Sequence, residues 1–262
     1  MRLSISNIGW AAENDIDVYH LMRKYGYSGL EIAPTRIFLE TPYDKNEEAR
    51  EWSKRINKDF EFQISSMQSI WYGRKEKLFG SEEERKRLVD YTKKAIDFAA
   101  MIGCNNLVFG CPQNRNLPAG VNPDIAVVFF KELGDYAAVK GTTIGMEANP
   151  VIYNTNYIND TVSALELIQR VNSQGFKLNL DIGTMIHNEE NVSELQNKVK
   201  YINHVHISEP GLKPIEKRKL HSELLQILVE ENYQGYISIE MGRINDLAVI
   251  EEKMEYVRRI FA

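Results

Sequence analysis

Residues 201–210 read YINHVHISEP, and a segment of the same kind recurs at 236–240 as YISIE. In an extended strand successive side chains point to opposite sides, so His204 and His206 share one side while Val205 and Ile207 share the other. Two further segments, TTIGME at 142–147 and FKLNLD at 176–181, are built alike and end on Glu147 and Asp181. A single buried histidine is more often a hydrogen-bonded core residue than a ligand. What favours a site is the company of three strand-end carboxylates, Glu147, Asp181 and Glu240. If these strands are parallel neighbours, their ends bring the carboxylates and the histidine pair into one acid-rich site. Imidazole and carboxylate are ordinary ligands of divalent metals.

Working outward, the same strand-then-helix order runs through the chain. Arg2–Ser6 alternates and leads to a helix ending near Gly26, and GLEIA at 29–33 precedes the polar helix NEEAREWSKRIN at 46–57. A third strand is expected over Phe60–Met67, followed by a long loop from Gln68 to Gly80. Ser81 then opens a helix. Glu84 completes its capping box, apolar residues recur at helical spacing from Leu88 to Met101, and Gly103 supplies the stop. NLVFG at 106–110 is an apolar run suited to a strand buried on both faces. Helices are expected over Asp124–Lys140, from an Asp160 or Thr161 cap to about Val171, and over Val192–Val199, Leu220–Glu230 and Leu247–Phe261. Eight such units, with no linker between them, imply parallel strands with right-handed crossovers, closed into a single-domain (β/α)8 barrel over residues 1–262. Sites in such barrels lie at the C-terminal face, where the acidic strand ends fall. No GxGxxG or GxxxxGK[ST] motif marks a nucleotide site.

With 262 residues, 43% of them hydrophobic, the chain can bury a full core. A net charge of −5 argues against a nucleic-acid partner, because phosphate backbones reward clustered lysine and arginine. No apolar run is long enough for a membrane span and MRLSISNIGW lacks the layout of a signal peptide, so a cytoplasmic protein without membrane partners is expected. Cys104 and Cys111 form no CxxC and are given no role. A homo-oligomer is compatible with the sequence, although no surface stripe marks its interface.

Taken together, GYSGLEI (26–32), AIDFAAMIGCNNLVFGCP (95–112), MEANP (146–150), LDIGT (180–184), HVHISEP (204–210) and GYISIEM (235–241) carry a resemblance. In order and approximate spacing, the chain resembles the xylose isomerase-like TIM barrel superfamily, particularly its sugar phosphate isomerase/epimerase branch. The resemblance spans nearly the whole chain and implies that Glu147, Asp181, His206 and Glu240 bind one divalent ion, manganese first, with magnesium, cobalt or zinc as alternatives. There are departures. Ketose 3-epimerases of the superfamily carry a histidine where this chain has Thr184 and an arginine where it has Leu212, which puts their substrate in doubt here. The histidines of the endonuclease IV relatives are missing from SSMQS (65–69) and FGCP (109–112).

The expected activity is a metal-dependent isomerase or epimerase acting on a small-molecule sugar or sugar phosphate. The ion would stabilise an enediolate while Glu147 and Glu240 transfer the protons. Trp10, Glu31, Asn149, His204, Lys213 and His221 are candidate substrate contacts, with His204 read first as a core histidine or one behind the ligand, and His221 equally readable as a helix-surface histidine. A sugar-acid or inosose-type dehydratase would need the same metal and base. An endonuclease IV-like phosphodiesterase would need more ligands and a basic groove, and a sugar-binding barrel without catalysis would need none of the chemistry.

Overall fold

The computed structural model describes residues 1–262, and in it the expected barrel closes. Its strands are β1 (Arg2–Ser6), β2 (Gly29–Ile32), β3 (Gln63–Met67), β4 (Leu107–Phe109), β5 (Ile144–Met146), β6 (Phe176–Asp181), β7 (Ile202–Ile207) and β8 (Tyr236–Ile239). They pair in parallel in chain order, and β8 closes on β1. The helices are α1 (Asp15–Lys24), α2 (Pro34–Ile37), α3 (Asn46–Phe60), α4 (Glu82–Met101), α5 (Asp124–Lys140), α6 (Thr161–Val171), α7 (Ile182–His187), α8 (Lys219–Glu230) and α9 (Leu247–Phe261).

Alternation along the strands separates two environments. Leu3, Ile5, Leu178, Leu180, Val205, Ile207, Ile237 and Ile239 are buried in one continuous core with apolar side chains of the helices, such as Phe130, Leu228 and Met254. The other set is small or polar. Ser4 and Ser65 share a hydrogen bond of 2.6 Å, and the Asn106 amide donates to Asn179 at 3.2 Å. A methyl group at Gly29 would lie 2.6 Å from the Tyr236 ring, so a glycine is what admits that ring at the barrel's N-terminal end. A barrel interior usually carries layers of branched apolar residues. Here it is largely hydrophilic.

Two local expectations are corrected. Phe60 ends α3 instead of opening β3, because its ring packs against Tyr19 and Phe62 while Glu61 turns the chain in the left-handed region (φ 59°). The helix expected over Val192–Val199 is two short 3-10 turns, Val192–Leu195 and Val199–Tyr201, and the helix of this unit is α7. α7 starts directly after Asp181, whose carboxylate caps it. The α4 capping box is present as expected, with Ser81 and Glu84 each bonding the other's backbone N–H.

Candidate metal centre

The pairing register brings the acidic ends to one level. Asp181 lies opposite His206 and His206 opposite Ser238, one step from Glu240 two residues on, while Glu147 follows β5 directly. Ligand atoms of Glu147, Asp181, His206 and Glu240 all lie within 4.8 Å of one another. All but the half-buried Asp181 are buried.

Each side chain is held by specific partners. His206 presents Nδ1 to the cluster, 3.1 Å from Glu147 Oε1 and 3.3 Å from Glu240 Oε2, while its Nε2 lies 2.9 Å from Glu31 Oε2. A carboxylate behind the far ring nitrogen fixes the orientation of a ligating imidazole and raises its basicity. Glu31 accepts a further hydrogen bond from Gln68 at 3.1 Å. His204 Nε2 is also 3.0 Å from Glu31 Oε2, but the approach is misaligned and leaves it without a hydrogen bond. Asp181 Oδ1 accepts from the Thr184 N–H at 2.6 Å and Oδ2 from the Ser208 hydroxyl at 2.5 Å. The residue therefore caps a helix and faces the site at once. Glu147 Oε1 accepts from the Asn179 amide at 2.9 Å, and Oε2 from the Asn149 amide at 3.1 Å. A methyl group at Gly110 would come within 2.8 Å of that same Oε2, so the end of β4 must be bare for Glu147 to sit where it does.

The electrostatics suit a cation. Burial, aided by the neighbouring carboxylates, pushes Asp181 up to about 6 and Glu240 up to about 7. Burial opposes the charged form of His206, yet Glu31, Glu240 and Glu147 together hold it well above the ordinary imidazole value. Burial likewise opposes ionisation of Glu31, but the two histidines outweigh it and keep that carboxyl far below the usual range. The cluster thus retains protons where several buried carboxylates converge. A divalent ion would relieve the same repulsion, and three carboxylates with one imidazole match manganese, magnesium or cobalt better than a thiolate-held zinc.

The three carboxylates of the centre line a cleft of about 170 Å³ at the C-terminal mouth of the barrel, and His206 is fully buried and does not line it. Its lining includes Glu147, Asp181, Glu209 and Glu240 but no lysine or arginine. Arg218 grips Glu209 through Nε at 2.7 Å and Nη2 at 2.5 Å, and so is already paired. A larger cavity, about 330 Å³, opens at the opposite mouth among Arg2, Asn105, Asn203 and Tyr236, with His204 in its wall.

Of the residues expected to touch substrate, only Asn149 lines the cleft. Trp10 is wholly buried, its indole N–H donating to Asp15 at 2.7 Å and its ring facing the Arg36 guanidinium. Glu31 and His204 lie inside the barrel behind His206. His221 sits on α8 in the outer layer, with Nδ1 2.8 Å from the Tyr256 hydroxyl of α9. Lys213 is exposed and does not line the cleft. The Ser208 hydroxyl and the Gly211 N–H are committed to Asp181 and to the Tyr153 hydroxyl. Sequence reading passed over Asn179, Gln68, Tyr153, Glu209 and Arg115. For Asn179 a signal was present, since it precedes Asp181 by two in a strand and must share its side.

The four side chains that could hold a metal ion lie at the C-terminal mouth of a closed eight-stranded parallel barrel. The chain belongs to the xylose isomerase-like TIM barrel family, whose model matches residues 19–260. Among solved structures it is similar to the D-psicose 3-epimerase of Clostridium cellulolyticum H10, crystallised with D-tagatose (TM-score 0.79, 13% identity, 100% of this chain and 99% of that one). It is also similar to a 3-keto-D-glucoside 4-epimerase from E. coli (0.76, 19%, 99% of both chains) and to an AP endonuclease, family 2, from Brucella melitensis (0.75, 17%, 100% of both). At such identities these likenesses establish the fold alone. No curated protein matches the chain significantly by sequence.

Proposed function

We propose that the protein is a divalent-metal-dependent isomerase or epimerase of a neutral, unphosphorylated sugar. The observation that carries this reading is the convergence of Glu147, Asp181, Glu240 and His206 Nδ1 within 4.8 Å, with the three carboxylates lining the cleft. When bound, a divalent ion would polarise a sugar carbonyl and favour the negative charge that develops as the adjacent carbon loses its proton. The side chains do the rest. Glu147 and Glu240 arrive from β5 and β8 on either side of His206, so one carboxylate can take the proton and the other return it. Asn149 and Asn179 hold Glu147 in place, and Ser208 holds Asp181.

The acid-rich lining supports a neutral substrate, since it offers a phosphate or sugar acid no arginine or lysine, and the nearby Arg218 is already committed to Glu209. The same feature disfavours the sugar-acid dehydratase and phosphodiesterase readings. Epimerases among the similar folds, one of them crystallised with D-tagatose, agree with the choice of reaction. The test is hydrogen exchange. Manganese-loaded protein incubated with a panel of free ketoses in D2O should incorporate deuterium at the carbon next to the carbonyl, and the Glu147→Gln variant should not. Full metal loading with no exchange on any sugar would overturn the isomerase reading, and a preference for sugar phosphates would overturn its neutral-substrate part.

A further inference from the structure

One buried charge near the centre does not itself line the cleft. Arg115, in the loop after β4, is fully buried, and burial drives its pKa down to about 10. A buried guanidinium normally has a carboxylate partner, because the desolvation penalty is large. Arg115 has none in hydrogen-bond contact. Its Nη1 donates to the Glu147 carbonyl at 2.8 Å, its Nη2 donates to Asn149 Oδ1 at 3.0 Å and to the Ile158 carbonyl at 3.2 Å, and its Nε has no partner. Bracing two carbonyls of a loop does not by itself call for a buried charge.

The third contact does. A guanidinium only donates, so the amide in front of it must turn its oxygen toward Arg115. The Asn149 NH2 is thereby forced toward Glu147, whose Oε2 it meets at 3.1 Å. The reversed amide would set NH2 against the cation and oxygen against the carboxylate, which is repulsive at both ends. With Oε2 tethered in this way and Oε1 held by Asn179, the two oxygens of Glu147 are distinguished. Oε1 is the one that faces His206 Nδ1, at 3.1 Å, and Oε2 faces the cleft beside Gly110.

We infer that Arg115 is a positioning residue which, through the Asn149 amide, presents Glu147 Oε1 to the ion and Oε2 to the substrate. The assignment of Oε2 to the substrate rests on the isomerase reading above, whereas the effect on the ion does not. The test is a double-mutant cycle of Arg115→Met and Asn149→Ala, read by manganese titration calorimetry and by the kcat and KM of a sugar that the wild type turns over. Each single variant should weaken manganese binding about tenfold, the scale for partners that orient a ligand. Each should also lower kcat with little change in KM, and the double variant should be no worse than Asn149→Ala alone. Arg115→Lys, which keeps the charge but loses the fork, should recover part of the loss.

Additive losses in the cycle would overturn the inference, and so would an Arg115→Met protein that melts lower yet binds manganese and turns over sugar like the wild type. If Arg115→Met does not fold, Arg115→Lys carries the test, and wild-type manganese affinity in it would equally overturn the inference. A wild type that binds manganese but turns over no sugar would defeat the isomerase reading, while the manganese cycle would still decide the role of Arg115.

Discussion

At the scale of single residues, the proposed mechanism separates groups that would move protons from groups that would hold others still. Glu147→Gln and Glu240→Gln keep size and hydrogen-bonding reach while removing the base. Each should lower turnover by roughly 10²–10⁴-fold with the other ligands still in place, and kinetics beside elemental analysis of bound manganese will check the split. Glu31 should behave differently. It backs His206 Nε2 from inside the barrel and does not line the cleft, so Glu31→Gln should weaken manganese binding roughly 10–100-fold and affect KM little once metal is saturating. Equal kcat at every manganese concentration would show that Glu31 does not support the ligand. Gly110→Ala presses a methyl on Glu147 Oε2, and a folded variant with reduced kcat is expected.

At the scale of elements, strand ends and helix starts are joined by shared residues. Asp181 closes β6 and caps α7, so its two roles can be separated by chemistry. Asp181→Asn keeps a side chain able to cap and should bind manganese poorly while melting near the wild-type temperature. Asp181→Ala loses both functions and should cost about a further 1 kcal/mol in urea unfolding of the metal-free protein. Unfolding midpoints in the order Ala at or above Asn would contradict the capping role. Ser81 offers the control, because the α4 capping box lies far along the chain from every ligand. Ser81→Ala should lose about 1 kcal/mol with unchanged kcat.

At the scale of the whole molecule, the buried charges couple folding to pH and to metal. Asp181 and Glu240 have folded-state pKa values raised above those of the unfolded chain, so between about 4 and 7 the folded state binds more protons. Their contribution to stability is therefore complete below the unfolded values and is lost as pH rises through the raised ones. His206, also raised, adds to that loss at higher pH. His204 and His221 are lowered and act in the opposite sense, and Glu31 acts oppositely only below its usual value. The clean readout is thus the gain in melting temperature on adding manganese, measured at each pH. It should increase from pH 5 to pH 8, since the ion replaces protons that the cluster otherwise retains. A gain that is flat or falls over this range would exclude binding by these side chains.

The sequence by itself determined the barrel and marked the candidate ligands. Eight strand-like runs, each followed by a helical stretch, permit little but a parallel sheet with outer helices. Glu147, Asp181 and Glu240 were legible as carboxylates that end strands, and the choice of His206 over His204 came only with the family resemblance. What surrounds the quartet was decided only by the tertiary structure. Glu31 is 175 residues from His206 and meets it across the barrel, Arg115 reaches Glu147 through an amide on another loop, and Trp10 and His221 turn away into the core and the helical layer. Periodicity reports which side of a strand a residue occupies. Which partner it meets there depends on strand register and on barrel closure, and these are set by the packing of all eight units at once.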